Sequence, residues 1–389
     1  MMILPARRLD GISEYYFAGK LREIAQRQRD GHAVLNFGIG SPDLPPAPAV
    51  MEALTQAALL PQSHGYQSYT GIPALRSAWA NWYARHYGVT LDADRNILPL
   101  IGSKEGIVHV AMTFLEPGAV ALVPDPGYPA YTAATRLAGA TVQLYHLTAD
   151  HNWLPDLDAL AKSDLRSVKI MWVNYPHMPT GAPASAEVFQ RLVDFGRQHN
   201  ILIVNDNPYS FILNEHPISI LAATGAEDVA LELNSLSKSH NMAGWRVGMV
   251  AGHPDYLAAI LRFKSNMDSG QFLPVQLAAT QALQLPDTWY TDLHTIYRQR
   301  QEVAFSILEA LDCTFDRAQQ GMFVWAKIPD HYADGYALSD ELLYEKDLFL
   351  TPGGIFGLNG QRYIRISLCS PVETLQRGLK RLAKVGTNS

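Results

Sequence analysis

A chain of 389 residues is more than twice the ~150 residues of an average domain, so two to three domains are expected. Hydrophobic residues make up 48% and charged residues 17%, which excludes intrinsic disorder and allows a substantial core. Lys and Arg total 31 against 37 Asp and Glu; the net charge of −6, without a long run of either sign, excludes a basic nucleic-acid footprint.

Residues 1–10 are basic but lack the apolar region of a secretion signal. The first strand candidate is 97–101, followed by a helical face of Ile107, Val108, Ala111, Phe114 and Leu115. Further short apolar runs fall at 119–123 and 168–173. A second helical face, Val188, Phe189, Leu192 and Val193, separates the latter from 201–204. Residues 230–233 and 247–251 complete the series. Strands of continuous rather than alternating hydrophobicity, interleaved with helices, imply an α/β fold with a mostly parallel central sheet flanked by helices. Beyond about residue 290 the pattern changes to long helices with strands near 322–326 and 363–367. That reads as a smaller α+β domain completed by the N-terminal segment. The expected division is 1–45, 46–288 and 289–389. No apolar stretch reaches the ~18 residues that span a bilayer. The two cysteines, Cys313 and Cys369, cannot build a disulfide framework or a multi-cysteine zinc site and read as inert core residues. A cytoplasmic protein without membrane or nucleic-acid partners is expected.

Open α/β sheets bind ligands beyond the carboxyl ends of their strands. Gly102-Ser103-Lys104 follows the first strand and opens a helix, offering backbone N–H groups and a positive dipole end to a phosphate. Tyr128 follows the second and has a flat face for stacking on a heteroaromatic ring. Asn174 through Gly181 follow the strand at 168–173, with Met178 and His177 inside the loop. Asp206 and Tyr209 follow the next: an acid able to keep a pyridine nitrogen protonated, and a phenol able to donate to a phenolate oxygen. Ser235, Ser237 and Lys238 follow 230–233, with Arg246 beyond. The serines and the guanidinium suit a phosphate dianion, and the lysine suits a Schiff base with pyridoxal phosphate. His177 reads as a solvated loop histidine. Trp172 and Trp245 read as packing residues, and His151, His240 and His253 have no metal-ligand spacing with acids.

The segment Ser235-Leu236-Ser237-Lys238 with Gly244-Trp245-Arg246-Val247-Gly248 resembles the class I/II aminotransferases, the fold type I pyridoxal-phosphate enzymes. Gly40-Ser41-Pro42-Asp43, Tyr66 with Gly71-Ile72-Pro73-Ala74-Leu75-Arg76, and Pro352 to Gly357 with Arg365 resemble further elements of that family in order. The resemblance implies that Lys238 forms the Schiff base and shuttles the Cα proton. It implies that Asp206 pairs with the pyridine nitrogen, Tyr209 bonds the phenolic oxygen and Tyr128 stacks. Gly102, Ser103, Lys104 (by its backbone), Ser235, Ser237 and Arg246 would hold the phosphate, with Tyr66 reaching across from a neighbouring subunit of a homodimer. Arg365 would clamp the substrate carboxylate with help from the Gly40 backbone. Residues 12–17, including Tyr15, are reminiscent of a substrate lid. The family's N-P-T-G stands here as Met178-Pro179-Thr180-Gly181, which replaces an amide near the cofactor oxygen with a thioether, a poor acceptor and no donor. Asn174 and His177 are the neighbours able to take over that bond.

The implied activity is transfer of an amino group between an L-amino acid and a 2-oxo acid with pyridoxal 5′-phosphate. A carbon–sulfur β-lyase or cyclopropane-forming synthase on the same fold is an alternative. An aminotransferase-like regulatory domain is disfavoured, because too little chain precedes Phe37 to hold a DNA-binding module.

Overall fold

Val, Ile and Leu runs that are apolar on both faces have to be covered on both faces, and the central sheet meets that demand. The computed structural model describes residues 3–10, 12, 14 and 16–383. Tyr15 lies outside the described residues. After a two-residue strand β1 (Leu35–Asn36), the sheet strands are β2 (Ile97–Leu100), β3 (Val120–Asp125), β4 (Thr141–His146), β5 (Val168–Val173), β6 (Leu202–Asp206), β7 (Ala230–Ser235) and β8 (Gly248–Gly252). Among the described residues they form one seven-stranded sheet in the order β2-β8-β7-β6-β5-β3-β4. Only β8 runs antiparallel to its neighbours; the other pairings are parallel.

The strands at the centre, β6 and β7, are buried along their whole length, as continuous apolar runs require. The edge strand β4 escapes that criterion. Its Thr-Val-Gln-Leu-Tyr-His sequence mixes polar and apolar residues because most of the strand is exposed or half-buried. The helix Ser103–Phe114 covers the sheet with Ile107, Val110 and Ala111, while Val108 and Phe114 are only partly buried. On the helix Ala186–His199, Phe189, Leu192 and Val193 are buried. Ser185 caps it by accepting from the Val188 N–H, and Asn200 ends it in the left-handed conformation.

The remaining strands belong to the C-terminal part: β9 (Phe323–Lys327), β10 (Leu348–Phe349), β11 (Thr351–Pro352) and β12 (Tyr363–Ser367). Here β11, β12 and β9 pair antiparallel in that order. The N-terminal segment packs onto this part. β1 pairs parallel with β10, Leu35 facing Leu348, and Phe17, Ile24 and Val34 share a cluster with Leu343 and Phe349.

One ion pair fastens the segment that follows. Arg300, 4% exposed, grips Asp43 with both Nη atoms at 2.7 and 2.9 Å and also donates to the Leu368 carbonyl at 3.0 Å. A fork-to-carboxylate pair of this kind fixes the 38–43 loop against the C-terminal part. Asp43→Ala should cost about 3 kcal/mol, because it strands the buried guanidinium. Thermal denaturation should show part of that loss recovered in the Asp43→Ala, Arg300→Met double variant. A single variant as stable as the parent would contradict this role for the pair.

Candidate active site

Parallel strands all end at one edge of the sheet, and an antiparallel strand begins there. Gly248, at the start of β8, therefore sits beside Leu100 at the end of β2 and Ser235 at the end of β7. Arg246, just before β8, is delivered to the same edge as Gly102 and the serines. Glycine is required at two positions, by its positive φ at Gly102 and by close backbone approach at Gly248. A Cβ on Gly102, whose φ is +81°, would stand 2.2 Å from Arg246 Nη2. A Cβ on Gly248 would stand 2.7 Å from the Asn234 carbonyl oxygen and 2.8 Å from the Ser103 nitrogen. Ser235 Oγ donates to Ser237 Oγ at 2.9 Å and accepts from the Ser237 N–H at 3.2 Å. The result is a cluster of hydroxyls, backbone N–H groups and a guanidinium at a helix start, the donor set of an anion site.

These groups open onto a cavity of about 670 Å³ that Tyr128, Asn174, Asp206, Tyr209, Lys238 and Arg365 also line. Asp206 ends β6 at 4% exposure. Tyr131 donates to its Oδ2 at 3.0 Å, while Oδ1 is buried with no hydrogen-bond partner among the described residues. Burial pushes this carboxyl up to about 7, the Tyr131 bond opposing the shift. Lys238 follows β7, and its Nζ donates to the Gly40 carbonyl oxygen. Burial lowers its pKa, which favours the neutral, nucleophilic amine. Gly40 thus meets the site through its carbonyl.

Arg365, on β12, enters from the C-terminal part and is 4% exposed. Its Nη2 donates to the Gly38 carbonyl at 2.8 Å and its Nη1 lies 3.3 Å from Met178 Sδ. The rings of Phe323, Phe356 and Phe17 lie 3.8, 4.7 and 5.8 Å from the guanidinium carbon. Asn174 spends its amide on backbone: Nδ2 donates to the Asp206 carbonyl and Oδ1 accepts from the Met178 N–H at 2.8 Å. It ties the Met178 loop to the end of β6.

Lys104 lines both this cavity and a neighbouring one of about 830 Å³. Tyr66 is 92% exposed and does not line the cavity of its own chain. His177 departs from expectation. It is buried at 3% exposure, because the loop folds back through bonds from His177 N to the Ala182 carbonyl and from Gly181 N to the His177 carbonyl. Its Nδ1 lies 2.8 Å from Thr180 Oγ1, and burial pushes its pKa down to about 3. Burial raises the thiol pKa of both Cys313 and Cys369.

Sequence reasoning missed Tyr131 and Phe323, and it named the segments 12–17 and Pro352 to Gly357 without the contact of Phe17 and Phe356 with Arg365. Tyr131 had a readable signal, since a phenol three positions beyond Tyr128 in a helix shares its face. The phenylalanines had none, because they look like core. Trp172 does pack, but against the acid's partner: it stacks on Tyr131 with ring centroids 5.2 Å apart.

The sequence model of the class I and II aminotransferases matches residues 32–382. The chain belongs to that family. An LL-diaminopimelate aminotransferase of Dehalococcoides mccartyi is 40% identical over 97% of this chain and 98% of its own. One from Desulforudis audaxviator is 41% identical over 98% of each chain. Among solved structures, substrate-bound BacF from Bacillus subtilis superposes with a TM-score of 0.94 at 33% identity, covering 99% of this chain and 98% of its own. An aspartate aminotransferase variant from Thermus thermophilus has the same fold, with a TM-score of 0.91 at 24% identity, covering 99% of this chain and 100% of its own. This aminotransferase is therefore an enzyme dependent on pyridoxal 5′-phosphate. The open Asp206 oxygen, the half-buried Lys238 amine and the anion cradle fit that group's ring nitrogen, aldehyde and phosphate. Among the described residues no helix is long and apolar enough to cross a membrane.

The raised Asp206 pKa has a signed consequence for the cofactor-free protein. The folded state holds this proton more tightly than the unfolded chain, so the proton's contribution is complete below pH 4. It is lost as pH rises to about 7. Cofactor-free Asp206→Asn should therefore gain stability over the parent at pH 8, with the gap narrowing at pH 5. Melting curves at the two pH values check this; a gap independent of pH would contradict the buried, partly protonated acid.

Proposed function

We propose that Lys238, Asp206 and Arg365 carry the aminotransferase reaction of this chain. The supporting observation is that a half-buried amine, a buried carboxylate with an open oxygen and a guanidinium converge on one cavity from three separate elements. When bound, pyridoxal phosphate supplies an aldehyde that captures the amino group and a protonated ring that takes up charge developing at Cα. Lys238 Nζ would hold the cofactor covalently until the substrate's amino group displaces it, and the freed amine would then move the Cα proton. Asp206 keeps the ring nitrogen protonated, an interaction that strengthens as charge flows into the ring. Tyr131 and the backbone bonds of Asn174 hold that acid in place. Tyr128 stacks and Tyr209 donates to the ring oxygen. Gly102, Ser103, the Lys104 backbone, Ser235, Ser237 and Arg246 bind the phosphate. Arg365 orients the substrate carboxylate, and Gly40 and Met178 border it.

The same reading makes the enzyme a homodimer with shared sites. Tyr66 at 92%, Met267 at 60%, Phe272 at 45% and Tyr69 at 43% exposure are large apolar side chains that a second copy would cover. It divides the chain at residues 45 and 288. It also places the enzyme in the cytoplasm, where two free cysteines suit a reducing compartment. The name of the relatives makes LL-diaminopimelate one candidate donor, which would bring a second ammonium and a second carboxylate to be paired.

Borohydride reduction after loading with pyridoxal phosphate should tag the peptide carrying Lys238. Lys238→Ala should lose both the tag and nearly all turnover. A tag on another lysine in the parent would refute the assignment. For Tyr66, a mixed dimer carrying Tyr66→Phe on one chain and Lys238→Ala on the other puts both lesions in one site. It should keep about half of native activity, one intact site of two. Activity no higher than that of a Tyr66→Phe site would mean that Tyr66 acts within its own chain.

A further inference from the structure

An amino donor held by its carboxylate on Arg365 and its nitrogen at Lys238 must extend its side chain along the remaining wall of the cavity. Among the described residues, five charged side chains line that cavity: Lys104, Asp206, Lys238, Arg246 and Arg365. Asp206, Lys238 and Arg246 are committed to the cofactor and Arg365 to the α-carboxylate. Lys104 stands at the start of the phosphate-side helix, at the border with the neighbouring cavity. The wall around Arg365 is of another kind. Phe17, Leu21, Ile39, Met178 and Phe356 supply it, and the three phenylalanine rings enclose the guanidinium. Met178 puts a thioether, 6% exposed, against Nη1.

Two physical consequences follow. Among the lining residues of this chain Asp206 is the one carboxylate, so a second ammonium on the donor would have to find its counter-ion outside them, and leaving a charge unpaired in the cavity is costly. An apolar side chain would gain by covering the aromatic and aliphatic wall. We propose that this subsite takes amino donors with an uncharged, apolar side chain, aromatic or aliphatic, in preference to dicarboxylates and to LL-diaminopimelate. The inference rests on the roles given to Lys238 and Arg365 under the proposed function. It departs from the substrate that the relatives' name suggests.

Two measurements on the holoenzyme test it. In the first, single-turnover absorbance changes are followed with one amino acid at a time: L-phenylalanine, L-leucine, L-methionine, L-glutamate, L-aspartate and LL-diaminopimelate. The best apolar donor should exceed every charged donor by about 100-fold in kcat/KM. In the second, calorimetry compares two carboxylates without an amino group, 3-phenylpropanoate and glutarate; the former should bind at least about 10-fold tighter. Leu21→Arg, at a position 41% exposed, places a cation on the wall and should shift the glutamate-to-phenylalanine ratio about 10-fold towards glutamate. A preference for glutamate, aspartate or diaminopimelate, tighter glutarate, or an unchanged ratio in Leu21→Arg would overturn the inference alone. Conversion of no donor, with Lys238 untagged by borohydride, would overturn the reading beneath it as well.

Discussion

Asp206 and Lys238 are two ionisable groups that line one cavity at the end of a sheet, the acid buried and the amine half-buried, and desolvation penalises the charged form of both. The acid is pushed up and the amine down, so the cofactor-free site holds its groups closer to neutrality than they would be in water. That is the state a cofactor with a basic ring nitrogen and an aldehyde can use: the nitrogen restores the carboxylate's charge, and the lowered pKa eases loss of the amine's proton. Much of the surrounding structure keeps these two groups dry and aimed. Tyr131, stacked on Trp172, holds one carboxylate oxygen, and Asn174 locks the backbone of the same residue to the Met178 loop.

Topology supplies the second requirement. A lysine after one strand, an acid after another and a helix start after a third come together because parallel strands end at a common edge. Arg246 joins them because β8 alone is reversed, so the residue before it reaches the edge that other strands reach with the residues after them. Gly102 and Gly248 allow the backbone to close that cradle. Arg365 arrives from the C-terminal part, and the loop carrying Gly40 is held there by Arg300 and Asp43. The cavity is therefore shaped by both parts of the chain together.

Much of this was legible in the sequence, for physical reasons. Strands buried on both faces show as unbroken apolar runs, and polar residues after such runs mark the ligand edge. Lys238, Asp206, Tyr128 and the serines were found that way. β4 was missed because an edge strand need not be continuously apolar. His177 was misread because a loop that folds onto itself can bury a polar ring, here with Nδ1 beside Thr180 and Nε2 without a partner among the described residues. The aromatic wall around Arg365 was invisible, since a phenylalanine that lines a substrate pocket and one that fills a core carry the same signal. Tyr66 illustrates the limit of a single chain: its side chain points to solvent, and its proposed role requires a second copy.

The central claim is that one sheet edge receives the cofactor, with Lys238 at the aldehyde, Asp206 at the ring nitrogen and the Gly102–Arg246 cradle at the phosphate. A crystal structure of the borohydride-reduced holoenzyme tests it most directly. The account predicts continuous density from Lys238 Nζ to the cofactor, an Asp206 oxygen within hydrogen-bond reach of the ring nitrogen, and the phosphate between Ser103 and Arg246. Density joining the cofactor to Lys104, or a ring nitrogen facing away from Asp206, would contradict it.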